Sequence, residues 1–255
     1  MGLYFTFLIL GILMAGVTLN NWVDNINKHS PIPFPHFTFY FFPDVWQNIT
    51  FFASIRYILI LPAIIVIILI TNEFTNKTIR QNIVNGMSRK EFLLSKLQII
   101  FLIAFIVAFV LFLSILILGI ANTDKFTMSM IFKKMGFAGG FFIQLLTFLI
   151  FAFFTGFLLR NTGISIAFFT LYALIIEPVL FFLLKIPKLQ PNNISRFLPV
   201  NSVIRIVEYP YFPLLKKIIG LNIRDQLSFL DCAVPIIYSI VMIAIIFQIL
   251  SKKDL

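Results

Sequence analysis

An all-α membrane protein with six transmembrane helices is the fold class this sequence predicts, and three observations predict it. Of 255 residues 60% are hydrophobic and only 12% charged, giving a mean hydropathy of +1.01, beyond what a soluble domain carries. The apolar residues gather into about six runs long enough to cross a bilayer. A polar stretch, Thr71 to Lys96, interrupts two of the longest runs, so the chain must leave the hydrocarbon there.

Composition also excludes functions. Six spans fill the chain as a single domain, 1–255, and leave no room for a nucleotide-binding domain. No G-x-x-x-x-G-K-[ST] loop occurs; Gly136, Gly139 and Gly140 lack the lysine. The net charge of +10 is scattered over loops, and attraction to anionic lipid accounts for it better than nucleic acid does. Cys232 is the only cysteine, so neither a disulfide framework nor a cysteine metal site is expected.

The first span is placed at about 2–22. Met1 to Leu19 carries no charge and Trp22 suits an interfacial anchor. The stretch lacks the basic n-region and small-residue cleavage site of a signal peptide. A loop at 23–50 follows, where Pro31, Pro33, Pro35 and Pro43 exclude a continuous helix. Phe37 to Phe41 alternates as a short extended segment would, and Trp46 is expected back at the interface. His29 and His36 share this loop without a third ligand, so no metal site is expected. Span two covers about 51–71, with Arg56 near one end and a kink expected at Pro62.

The polar stretch reads as a short helix, 73–85, then a turn, then the start of a long helix. Gly86 suits the left-handed position that ends a helix. Ser88 with Glu91 forms a capping box, and Met87 with Phe92 a hydrophobic staple. Ile79, Ile83 and Met87 fall on one side of the short helix. Span three is placed at 88–120; its roughly 48 Å exceeds a bilayer core of about 30 Å, so its polar end protrudes. After a lysine-bearing loop at 121–134, span four covers 135–159 and opens with Gly136-x-x-x-Gly140, a face suited to close packing. Arg160 to Gly163 allows only a hairpin into span five, 164–184, which contains Glu177-Pro178. The segment 185–231 is broken by Pro187, Pro191, Pro199, Pro210 and Pro213, and span six covers 232–250.

Arg56 and Glu177 are the two charges inside spans, where each costs roughly 2.5–3.5 kcal/mol unless it finds a partner or water. Helical rise places them at similar depth, so the two could meet in a salt bridge if spans two and five are neighbours. The alternative is that Arg56 snorkels to headgroups and Glu177 bonds locally beside Pro178.

Glu73, Thr78-x-Arg80, Gly86, Ser88-Arg89 and Lys96 follow one another in the order and spacing found between the second and third spans of type-2 ABC exporter permeases. The likeness covers about 26 residues. Leu198-Pro-Val-Asn201 also resembles the Leu-Pro-x-Asn element after their fifth span, and the six-span layout extends the likeness. The resemblance implies that 73–85 is a cytoplasmic coupling helix docking on a separate ATP-binding subunit through Glu73, Phe74, Lys77, Thr78, Arg80, Gln81, Ser88 and Arg89. It implies a translocation pathway shared with a second permease subunit, no catalytic residue or cofactor on this chain, and residence in a bacterial cytoplasmic membrane. Members usually carry a basic amphipathic helix before span one; its lack predicts a start at an internal methionine.

With six spans, the side holding 72–96, 160–163 and both termini carries eight of the twenty basic residues. A bare count therefore opposes a cytoplasmic 72–96 loop. The density of basic residues in that loop, and the resemblance, place it in the cytoplasm nonetheless. Other readings of the segment and chain stay open: a basic amphipathic loop on anionic headgroups, an ion-driven secondary transporter, or a membrane anchor for a larger machine. A secondary transporter would show internal repeats and several midplane charges, which are not seen. An intramembrane enzyme would need a nucleophile and base within spans, and none is present.

Overall fold

A computed structural model describes residues 2–29, 39–125, 127–185, 197–207 and 227–252. The described residues form helices and no strand. In chain order these are α1 (Gly2–His29), α2 (Val45–Ala53), α3 (Arg56–Thr75), α4 (Thr78–Val84), α5 (Arg89–Asn122), α6 (Met128–Phe132), α7 (Gly136–Leu159) and α8 (Thr162–Leu171). A π-helical turn, Tyr172–Ile176, leads into α9 (Glu177–Lys185); α10 (Pro199–Ile204) and α11 (Phe229–Lys252) complete the set. Five segments are long and apolar enough to cross a membrane: Arg56–Thr75, Arg89–Asn122, Met128–Leu159, Thr162–Leu184 and Phe229–Lys252. The chain is a multi-pass membrane protein.

The chain divides into two compact units, one of Met1–Ile55, Val107–Phe141 and Val207–Leu227, the other of Arg56–Ile106, Phe142–Ile206 and Ser228–Leu255. The first unit is built on Trp46, which is fully buried. Its indole N–H, which needs an acceptor when buried, donates to the Ile131 carbonyl at 2.7 Å. Its ring packs 5.2 Å from Phe112. Lys134 pairs with Asp44 at 2.9 Å, and the Phe42 N–H donates to Thr123 Oγ1 at 3.1 Å.

Several boundaries differ from the sequence expectation. The expected loop 23–50 contains the end of α1 and the start of α2, because its prolines occupy only 31–43. Phe39 to Phe41 is not extended; Phe37, Thr38 and His36, like the Trp22 and His29 side chains, lie outside the described residues. Span two begins at Arg56 and runs to Thr75, with Pro62 inside an uninterrupted helix. The loops at 121–134 and 185–231 contain α6 and α10. Among the described residues Gly136 has no close contact, since a Cβ there would meet only Leu227 Cδ1, at 3.7 Å.

In the second unit the close approach is elsewhere. Gly156 of α7 lies against α3, and a Cβ there would stand 2.6 Å from Ile70 Cγ2. Thr71 and Thr162 share a hydrogen bond of 2.8 Å between α3 and α8. Ser239 of α11 donates to Thr147 of α7 at 3.1 Å. Phe148 packs edge-on to Phe169 at 5.1 Å.

Candidate functional site

The second unit builds the polar segment 71–96 from three helices, α3, α4 and α5. Helix α3 stops where Lys77 turns left-handed, at φ 55°, a conformation that costs a non-glycine residue roughly 1–2 kcal/mol. The expected single helix 73–85 is therefore two pieces, the end of α3 and α4. Glu73 joins them. Its carboxylate accepts from the Thr78 hydroxyl and from the Lys96 ammonium, and its carbonyl accepts from Thr78 at 3.2 Å. Three residues of the exporter-like motif thus form one cluster across α3, α4 and α5. Glu73 and Lys96 are only about a fifth exposed, so Glu73 is a staple within the chain rather than a free surface charge.

The far end of α4 closes as its sequence dictates. Gly86 sits at φ 97°; its N–H donates to the Ile83 carbonyl at 3.0 Å and the Met87 N–H to that of Asn82 at 3.0 Å. These are the two bonds of a Schellman ending. The capping box of α5 is formed in both directions: the Glu91 N–H donates to Ser88 Oγ at 3.2 Å and the Ser88 N–H to Glu91 Oε2 at 2.7 Å. Replacing Ser88 with alanine is expected to cost about 1 kcal/mol of local helix stability. Amide exchange at Glu91 should then quicken about fivefold; unchanged exchange would refute the cap.

The other residues singled out from the sequence surround this frame. Phe74 packs 5.4 Å from Phe157, and the Arg160 guanidinium lies 4.9 Å from the Phe74 ring centroid. Arg89 Nη1 donates to the carbonyl of Ser251, tying the last turn of α11 to the start of α5. Lys77, Arg80 and Gln81 are exposed. Arg80, Gln81, Val84 and Asn85 line an open concavity of about 430 Å³. Val84 is 78% exposed, an apolar residue left uncovered on a polar segment.

Arg56 and Glu177 do not bond to each other; each has its own partner. Glu177 is fully buried, and its two oxygens accept from the backbone N–H groups of Val200, at 2.9 Å, and Asn201. These are early donors of α10, whose Leu198 cap offers no side-chain acceptor. Arg56 Nη1 donates instead to the Ala173 carbonyl at 2.9 Å. That carbonyl lacks a helical donor. The Glu177 N–H goes to Tyr172, and the next donor in the π register is Pro178, which has none. Each charge was drawn to unsatisfied backbone rather than to the other. The Tyr172 hydroxyl stands beside the same carboxylate, and Arg56 acts on it through its charge.

No family model matches the chain, and no curated protein matches it either.

Proposed function

We propose that the chain is the transmembrane permease subunit of an ATP-driven exporter, working as a dimer with a separate ATPase subunit docked on α4. The observation that carries this reading is α4 itself: a short helix between two membrane-crossing helices, braced by Glu73, Thr78 and Lys96. Lys77, Arg80, Gln81 and Val84 are left outward. A braced helix transmits force better than a loose loop, because a push on α4 reaches α3 and α5 through fixed bonds. The order of Glu73, Thr78, Arg80, Gly86, Ser88, Arg89 and Lys96 supports the same reading by resemblance. A sixth span within α1 and a cytoplasmic position for α4 belong to this proposal.

Affinity purification of the intact chain from its native membranes tests it. A stoichiometric partner carrying a G-x-x-x-x-G-K-[ST] loop is expected. Arg80→Glu should lower its recovery roughly tenfold while leaving insertion intact. Absence of any such partner, or undiminished recovery with Arg80→Glu and Lys77→Glu combined, counts against docking at α4.

One observation favours a second reading, an ion-driven transporter. A membrane-crossing helix broken by a π turn next to a buried carboxylate is a recurrent feature of ion-coupled sites. Uptake into vesicles free of ATP but holding an ion gradient would select it.

A further inference from the structure

The segment after the membrane-crossing segment Thr162–Leu184 is gripped at two points, by side chains of two different helices. Glu177, at the start of α9, holds the N–H groups of Val200 and Asn201. Tyr238 of α11 donates its hydroxyl to the Phe197 carbonyl at 2.6 Å. Both anchors fall within the five residues Phe197–Asn201. Helix α10 has six residues, far below the length at which a helix stands alone in water, and its Val200, Asn201, Ser202 and Val203 are buried. It is therefore helical because it is held.

We propose that Glu177 and Tyr238 form a two-point latch that fixes α10 to the membrane-crossing segments Thr162–Leu184 and Phe229–Lys252, and that release of Glu177 undocks α10. The carboxylate is the central part. Its two oxygens match two consecutive N–H donors, a fit available to no neutral side chain, because glutamine has one acceptor oxygen and would turn an amide N–H against an N–H. Arg56 is bonded to the Ala173 carbonyl, so it serves the π turn that carries Glu177 and leaves both carboxylate oxygens to α10. The consequence is mechanical: α9 and α11 cannot shift relative to one another without breaking one anchor. The latch is a property of this chain alone and does not rest on the exporter reading.

Hydrogen–deuterium exchange of the purified full chain in detergent, followed by mass spectrometry, tests it. Glu177→Gln is expected to speed exchange in peptides covering 197–207 roughly tenfold or more, because buried N–H groups lose their acceptors. Peptides from α7 should exchange as in the parent. Tyr238→Phe, a smaller lesion, should speed the same 197–207 peptides a few-fold, and Glu177→Asp should fall between parent and Glu177→Gln. A second readout uses Ser202→Cys in a Cys232→Ser background, where maleimide labelling should rise with exchange. Unchanged exchange of 197–207 in both Glu177→Gln and Tyr238→Phe overturns the latch. So does acceleration that spreads equally through α7, since that marks general loosening.

Discussion

Gly156→Leu should disrupt the second unit by forcing apart two helices that touch backbone to backbone. Lipid tails are as apolar as leucine, so membrane helices associate through close packing rather than through hydrophobic exclusion from water. Gly156 supplies that packing between α7 and α3. A Cβ there would stand 2.6 Å from Ile70 Cγ2 and 3.5 Å from the Cα and carbonyl oxygen of Ile67. Alanine must displace Ile70 Cγ2, a methyl on the branched Cβ that moves only with χ1, and should cost about 1–2 kcal/mol. Leucine must push against the Ile67 backbone, which cannot rotate away, and should cost about 3 kcal/mol or more. The neighbouring contacts would move with it, since Phe157 packs on Phe74 and Thr71 bonds Thr162. A thermal melt of the detergent-solubilised protein should fall by roughly 6–12 °C for leucine and a few degrees for alanine. Gly139, where a Cβ would meet nothing within 4 Å, is the control. Equal melting of Gly156→Leu and Gly139→Leu would remove the claim.

What the sequence disclosed follows the range of the forces involved. The turn from Gly86 to Glu91 was readable because its cause is local: glycine fits a positive φ, and a serine and glutamate three apart satisfy each other's backbone. The long spans were readable from hydropathy for the same reason. The break at Lys77 was not, because no glycine or proline marks it; the turn is held by Glu73 and Lys96, 23 positions apart. The burial of Trp46 was not readable because its acceptor, the Ile131 carbonyl, lies 85 residues away. Gly136-x-x-x-Gly140 has a recognisable spacing without close packing at Gly136, whereas Gly156 packs closely and ends Ala152-x-x-x-Gly156, the same small-residue spacing inside a run of phenylalanines.

The partner of Glu177 left a faint signal in the sequence. Pro199 at a helix start is favourable, yet Leu198 before it cannot cap. A buried helix beginning with Leu-Pro needs an acceptor from elsewhere in the chain. Depth arithmetic instead pairs Glu177 with Arg56, treating the two charges as each other's best partner. Inside apolar surroundings an unsatisfied backbone group costs about 2–7 kcal/mol, enough to compete for a charged side chain. Both side chains answered that demand.

Replacement of Arg56 by methionine is the second large effect expected, and its cause can be separated from simple loss of charge. The Ala173 carbonyl is deprived of its helical donor because the Glu177 N–H bonds to Tyr172 and residue 178 is proline. Arg56 Nη1 fills the vacancy at 2.9 Å. Methionine keeps much of the length and apolar stem but leaves the carbonyl unsatisfied, at a cost of about 1–3 kcal/mol. It also removes a positive charge acting on buried Glu177, which adds to the loss. The melt should fall by roughly 4–8 °C for a loss of about 2 kcal/mol, and Arg56→Lys should fall less, since one ammonium donor can replace one guanidinium donor. The deciding variant is Arg56→Met combined with Pro178→Ala. Alanine restores an N–H at position 178, which can serve Ala173 in the π register or Leu174 in the α register. If the orphaned carbonyl is the main cost, this double variant should recover at least half of the stability that Arg56→Met loses. If charge near Glu177 is the main cost, Pro178→Ala will recover nothing, and the bond from Arg56 to Ala173 loses its assigned role.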